Sequence, residues 1–109
     1  MNEYKVNHVE YMGKGVYRIT EVHSTHRYLI LGNEKALLLD TGYGFEDFRY
    51  ILRNLTKLPI IVCNSHGDPD HALGNYLFDD VYMHPCDKER LMKNDNRQFR
   101  QLALDYRLT

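Results

Sequence analysis

Four side chains that commonly bind metal ions occur within six positions of the sequence: His66, Asp68, Asp70 and His71. Neutral imidazole and carboxylate groups are ordinary ligands for zinc, iron and manganese. A metal held by such groups lowers the pKa of a bound water when one coordination position stays open. The arrangement therefore predicts a hydrolytic metal site, in which positions 66 and 68 serve one ion and positions 70 and 71 another.

The elements around this segment are suited to hold it. It follows a short, β-branched apolar run at residues 60–63, which is typical of a buried strand. Gly67 allows the loop to turn sharply, and Pro69 stiffens it. Asp, Gly, Pro and Asn are also common in surface turns, so a polar turn without ligands is the alternative interpretation. Two histidines and two aspartates directly after a buried strand favour ligation.

The chain upstream predicts a strand-helix-strand unit. Residues 28–31 and 36–39 are apolar and flank a Gly-Asn-Glu-Lys turn, which indicates a hairpin. The second of these strands lacks polar alternation, so we expect it in the centre of the sheet with both faces covered. Apolar residues recur at helical spacing between positions 45 and 55, and residues 35–64 together favour parallel pairing.

The other elements are simpler. We expect an edge strand within residues 4–11, a strand over 16–22, a short helix over 72–78, a short strand over 81–83 and further helices over 86–92 and around 99–106. His23 and His26 are predicted to be loop histidines that do not bind metal. His84 precedes a predicted helix and is kept out of the ligand set.

The motif resembles that of a known superfamily. Residues 65–71, Ser-His-Gly-Asp-Pro-Asp-His, resemble the His-x-His-x-Asp-His motif of the metallo-β-lactamase superfamily, with Asp68 in place of the second histidine. Residues 26–44 resemble its strand-turn-strand, which ends here in Asp40-Thr41-Gly42. The resemblance covers most of residues 16–92. It implies an α/β fold: a mixed β-sheet with helices on one face, similar to the N-terminal half of the αββα sandwich.

The resemblance also implies roles for individual residues. The metal ligands are His66, Asp68, Asp70 and His71, and Asp70 acts in catalysis by orienting the attacking water. In the resemblance, Asp40 orients the metal loop. Without the resemblance, the presence of a carboxylate at the end of a buried strand is explained equally well if Asp40 caps the loop by accepting backbone N–H groups. The implied cofactor is a divalent metal, one or two ions, with zinc expected and manganese or iron as alternatives. Because Asp68 is an anionic, harder ligand than histidine, we expect a weaker preference for zinc.

The implied activity is metal-dependent hydrolysis of a small-molecule ester, thioester, lactone, amide or phosphoester. The chain stops at Thr109, before the regions where the superfamily supplies its other ligands. We therefore expect residues 1–109 to form a single, partial domain, whose apolar sheet face is covered by a missing C-terminal half or by a second copy of the chain. A non-catalytic interaction domain is the alternative function. A diiron redox or oxygen-binding protein is a third interpretation that shares these ligands.

The composition of the sequence argues against several classes of protein. The 109 residues are 43% hydrophobic and 27% charged, as in a globular protein. A net charge of -1 argues against a nucleic-acid or anionic-membrane binder, and no apolar run is long enough to span a membrane. The N-terminus lacks the apolar core of a signal peptide, and the two cysteines lack CxxC spacing, so we expect a cytoplasmic protein.

Overall fold

The computed structural model describes residues 6–65, 67 and 69–86. In this part of the chain, six strands form one sheet whose spatial order follows the sequence. The strands are β1 (Asn7–Gly13), β2 (Val16–Glu21), β3 (Thr25–Leu31), β4 (Ala36–Leu39), β5 (Ile60–Cys63) and β6 (Val81–Tyr82). The helices are α1 (Arg49–Leu55), α2 (Pro69–Ala72) and a 3₁₀ helix (Leu73–Leu77).

The sheet is mixed, as the sequence predicts. Strands β1 to β4 are antiparallel and joined by short turns, whereas β4, β5 and β6 run parallel. The change of direction comes where α1 connects β4 to β5, because parallel neighbours need a long crossover connection. The predicted α/β class is confirmed. No helix among the described residues is long and apolar enough to cross a membrane.

The main core lies between α1 and one face of the sheet. Four neighbouring strands contribute buried aliphatic residues, which are Ile19, Leu29, Leu38 and Val62. Phe48, just before α1, and Leu52 within it pack against them and are at most 1% exposed. Burying side chains of this size stabilises the fold by about 1.5–3 kcal/mol each.

Over β4 to β6, the opposite face of the sheet is apolar and only partly covered. In β4, Ala36 and Leu38 are buried beneath α1, whereas Leu37 and Leu39 are half-buried. On the same face, Ile61 of β5 is 39% exposed and Tyr82 of β6 is 62% exposed. The predicted position of β4 inside the sheet is correct. The prediction that both faces of β4 are covered is wrong for the described part of the chain.

Several element boundaries differ from the sequence prediction, and β1 extends to Gly13, beyond the range expected for the edge strand. The helix expected from residue 45 begins only at Arg49, because Asp47 accepts the Arg49 N–H at 3.1 Å and the preceding residues form a separate loop. The single helix expected over 72–78 is divided into α2 and the 3₁₀ helix. His26 lies in β3 rather than in a loop, since β3 starts at Thr25. The helices predicted over 86–92 and around 99–106 lie outside the described residues, except for Cys86.

Candidate metal centre

The predicted metal loop leaves the sheet where two parallel strands end side by side. Asp40 follows β4, and Asn64 follows β5. The Asp40 N–H donates to the carbonyl of Cys63 at 2.7 Å, so the ladder continues to the last residue of β5. Because both strands point the same way, their ends bring the Asp-Thr-Gly segment and the metal loop to one edge of the sheet.

Asp40 holds this loop through its carboxylate. The residue is 4% exposed, and its φ of 70° lies in the left-handed region, which Asp tolerates better than most residues do. Oδ1 accepts the Ser65 N–H at 2.7 Å, and Oδ2 accepts the Ser65 hydroxyl at 2.7 Å. Oδ2 also lies 2.9 Å from Nδ1 of His71. One carboxylate therefore joins the start of the loop to His71.

The contact between Asp40 and His71 fits a metal ligand. A carboxylate that accepts the Nδ1–H of an imidazole fixes the tautomer in which Nε2 carries the lone pair. That nitrogen is then the one that can bind a metal. The side chain of His71 is 25% exposed, so the site lies at the protein surface rather than in its interior.

The other predicted ligands lie outside what the structure describes. This holds for His66, Asp68 and the side chain of Asp70, whose backbone lies in α2. Among the described residues, no group of three or more His, Cys, Asp or Glu side chains could hold a metal ion. Three of the four predicted ligands are absent from that set, so the ligand geometry stays a prediction.

The backbone at His71 is also held by hydrogen bonds to the Asp-Thr-Gly segment. Its carbonyl accepts the Thr41 N–H at 2.9 Å. Three residues later, the Gly74 N–H donates to the carbonyl of Gly42 at 2.8 Å. A Cβ on residue 74 would lie 2.3 Å from the Thr41 oxygen, so only glycine allows this approach. The Asp-Thr-Gly segment and the chain after the motif therefore run in direct contact.

Glu21, at the end of β2, is a functional candidate that the sequence analysis missed. Its carboxylate is 1% exposed and accepts three successive N–H groups, those of Tyr43 at 2.7 Å, Gly44 at 3.1 Å and Phe45 at 3.3 Å. These residues directly follow the Asp-Thr-Gly segment, so Glu21 fixes the loop that carries Asp40. The only signal in the sequence is a charged residue that ends an apolar strand, and most such residues are exposed.

Arg27 lies beside Glu21 and is fully buried. Its guanidinium stacks 4.0 Å from the ring centroid of Phe48, a cation–π contact, and donates to Oδ1 of Asn7. Burial lowers the pKa of Arg27 to about 10, and the negative charge of Glu21 opposes that shift. Arg27 is therefore charged at neutral pH and supplies a buried positive charge beside the carboxylate.

A second apolar cluster packs beneath α2. Tyr43, Ala72 and Leu73 are buried, and Phe45 and Met83 pack against them. The rings of Tyr43 and Phe45 stack with centroids 4.9 Å apart. The loop held by Glu21 therefore also supports the helix that carries His71.

Three other described histidines, which the sequence analysis left out of the ligand set, have different surroundings. His26 is exposed, and its Nδ1 lies 3.0 Å from the Thr20 hydroxyl across the strand pair. His23 lies in the turn before β3 with a φ of 64°. His84 is exposed, and its Nδ1 accepts the N–H of Cys86 at 3.1 Å. Within the described residues, none of the three belongs to a group of metal-binding side chains.

Comparisons with known proteins agree on the fold family. The model of the metallo-β-lactamase superfamily matches residues 21–85. The acyl-coenzyme A thioesterase MBLAC2 of Homo sapiens is 28% identical over 102 residues, and that of Bos taurus is 30% identical over the same length. Each match covers 78% of this chain. A metallo-β-lactamase crystal structure from Erythrobacter litoralis, with β-mercaptoethanol in its active site, has a TM-score of 0.68 at 15% identity and matches 84% of this chain.

The matched proteins are all longer than this chain. The chain spans 37% of the length of the two thioesterases and 47% of the Erythrobacter litoralis structure. The match to the superfamily model over residues 21–85 includes the Asp-Thr-Gly segment and the predicted metal loop.

Proposed function

This chain belongs to the metallo-β-lactamase superfamily, and we propose that it supplies one half of the active site of a metal-dependent hydrolase. The observation that carries the proposal is the contact between Asp40 and Nδ1 of His71 at 2.9 Å, within the motif that matches the superfamily. A buried carboxylate that orients an imidazole in this way is the usual support of a metal-bound histidine.

In this proposal, His66 and Asp68 hold one ion, and Asp70 and His71 contribute to the second position. A bound divalent metal would supply a hydroxide nucleophile at neutral pH and would stabilise the oxyanion. Asp70 orients the attacking water and is the catalytic residue of the set. Asp40 positions His71 and Ser65 and does not touch the substrate. Zinc is the expected metal. The carboxylate at position 68 weakens the preference for zinc over manganese or iron, which are the alternatives.

Thioesters are the substrates to test first. The expected classes are esters, thioesters, lactones, amides and phosphoesters of small molecules. Two curated relatives that match 78% of this chain are named acyl-coenzyme A thioesterases, which supports the thioester class. Nucleic acids and membranes are not expected as partners, because the net charge is only -1. A cytoplasmic location is proposed because Cys63 and Cys86 are both free thiols.

The site also requires a partner surface. The half-buried Leu37 and Leu39 and the exposed Ile61 and Tyr82 give the sheet an apolar face opposite α1. A continuous apolar surface of this kind usually packs against another layer. Because the matched structure is about twice as long, we propose that further residues of a longer protein, or a second copy of this chain, cover this face. Residues 1–109 then form part of a single domain.

A non-catalytic role is the second candidate. It is favoured by the aspartate at position 68, where the superfamily motif has histidine. In that case the fold and the Asp40 contacts persist, but no hydrolysis follows.

Hydrolysis of acyl-coenzyme A thioesters tests the proposal against this alternative. The complete protein that contains this chain is loaded with zinc, manganese or iron and assayed beside an Asp70→Asn variant and beside an Asp47→Asn control, which changes an exposed carboxylate in another loop. We expect metal-dependent turnover that the Asp70 variant lacks and the Asp47 variant keeps. Metal binding without turnover by any form would favour the non-catalytic role.

A further inference from the structure

Two asparagines join the ends of the predicted metal loop. Asn64 follows β5, Asn75 lies in the 3₁₀ helix, and all four predicted ligands lie between them. Nδ2 of Asn75 donates to Oδ1 of Asn64 at 2.6 Å. In return, Nδ2 of Asn64 donates to Oδ1 of Asn75 at 3.1 Å. The two side-chain amides therefore pair through two hydrogen bonds.

This amide pair is partly buried, with Asn75 half-buried, and it extends to the Asp-Thr-Gly segment. Asn64 is 9% exposed, and Thr41 is fully buried. The Thr41 hydroxyl donates to Oδ1 of Asn75 at 2.7 Å. Nδ2 of Asn64 and the Thr41 hydroxyl each lie 3.4 Å from the carbonyl of His71. In such a low-dielectric setting, hydrogen bonds are stronger than in water, and losing one partner is costly.

We propose that Asn64 and Asn75 form a clasp that holds the two ends of this loop together before any metal binds, and that both are positioning residues for His71. The inference rests on the proposed metal site. Ligands on an unclosed loop of this length would lose conformational entropy when they converge on an ion. The clasp moves that cost from metal binding to folding, which is how preorganisation raises affinity.

The clasp differs from the support that Asp40 gives. Asp40 holds two points inside the loop, Ser65 and His71, whereas the amide pair holds its two ends. If the pair acts as one unit, removing either member should have nearly the full effect. The double variant should then cost little more than the larger single change.

Amide hydrogen exchange of the metal-free chain tests the clasp directly. The variants are Asn75→Ala, Asn64→Ala and the double variant, with Asn54→Ala as the matched control on the exposed side of α1. We expect about tenfold or faster exchange of the Ser65 and Thr41 N–H groups in the clasp variants, because both protons are bonded across the loop. Exchange of the Leu29 amide in β3 should not change.

Titration with Co²⁺ alone tests the positioning role. The clasp variants should bind it about 10- to 100-fold more weakly than the wild type and the Asn54 control, with altered visible absorption of the bound cobalt. Faster loop exchange with unchanged cobalt affinity would overturn the positioning role. Equally faster hydrogen exchange at every amide, including that of Leu29, would mean that the pair only stabilises the whole fold, and it would overturn the clasp. If the wild-type chain takes up no cobalt, the proposed function is contradicted instead. The clasp itself is then tested by the hydrogen-exchange result alone.

Discussion

Replacing Asp40 by Asn should weaken metal binding by reversing the tautomer of His71, and it should also cost the fold some stability. Asn tolerates the left-handed φ of 70° as Asp does, so the backbone is not disturbed. The remaining oxygen must stay opposite the Ser65 N–H, because that donor cannot reverse. The new NH₂ group then faces the Ser65 hydroxyl and Nδ1 of His71, in place of Oδ2.

The consequence for His71 follows from the chemistry of imidazole. A serine hydroxyl can accept a hydrogen bond instead of donating one, at little cost. Nδ1 of His71 can accept from the NH₂ group only by losing its proton, which moves to Nε2, the nitrogen that would bind the metal. We therefore expect metal affinity to fall about 10- to 100-fold, or about 1.4–2.8 kcal/mol. The metal-free protein should lose about 1–3 kcal/mol, since the three hydrogen bonds to the carboxylate, two from Ser65 and one from His71, all lose their charge assistance.

The assay is competitive titration of zinc against a chromophoric chelator, beside urea unfolding of the metal-free protein. The control is Asp47→Asn, the same chemical change at a carboxylate that is 49% exposed. A zinc affinity of the Asp40 variant equal to that of the control would refute the assigned tautomer and the role of Asp40 as the positioning carboxylate.

Three further changes should affect the fold in different ways. Gly74→Ala should destabilise the protein by about 1–3 kcal/mol, because the new Cβ would lie 2.3 Å from a main-chain oxygen; urea unfolding measures this. Glu21→Gln should cost about 1–3 kcal/mol in the same assay, because a neutral amide with a single oxygen replaces the buried carboxylate that accepts three N–H groups; an unchanged midpoint would contradict this role. The hydrogen bond from Arg49 lowers the pKa of Asp47 from 3.8 to about 2, so Asp47 stabilises the fold above about pH 4 and ceases to do so as the pH falls through 2. The stability difference between wild type and Asp47→Asn should shrink over that interval.

The sequence predicts the strand pattern well because the pattern is local. The hairpin of β3 and β4, the parallel step to β5 and the short β6 all follow from apolar runs and the turns between them. The start of α1 is predicted too early, because the periodicity of Phe45 and Phe48 matches a helix although Phe45 belongs to the loop held by Glu21. The sequence predicts that both faces of β4 are covered, because an unbroken leucine run does not show which part of a protein packs on each face.

The supports of the candidate site are much harder to predict from the sequence. Asp40 can be assigned a supporting role through a family resemblance, and the structure identifies its partners, Ser65 and His71. Glu21 and the pair Asn64 and Asn75 give no such signal, because their partners lie 11 or more positions away and no short motif encodes them. Distances among the four predicted ligands stay a prediction, since three of those side chains lie outside the described residues.

The central claim is that the loop after β5 binds metal through His66 and His71, and elemental mass spectrometry of the purified chain tests it most directly. The comparison is with a His66→Ala, His71→Ala double variant and with a His23→Ala, His84→Ala control, which removes two histidines outside the predicted ligand set. We predict near-stoichiometric metal in the wild type and the control, and its loss in the first variant. Absence of metal from all three forms would contradict the claim and leave this chain as a structural half that requires its partner for any metal site.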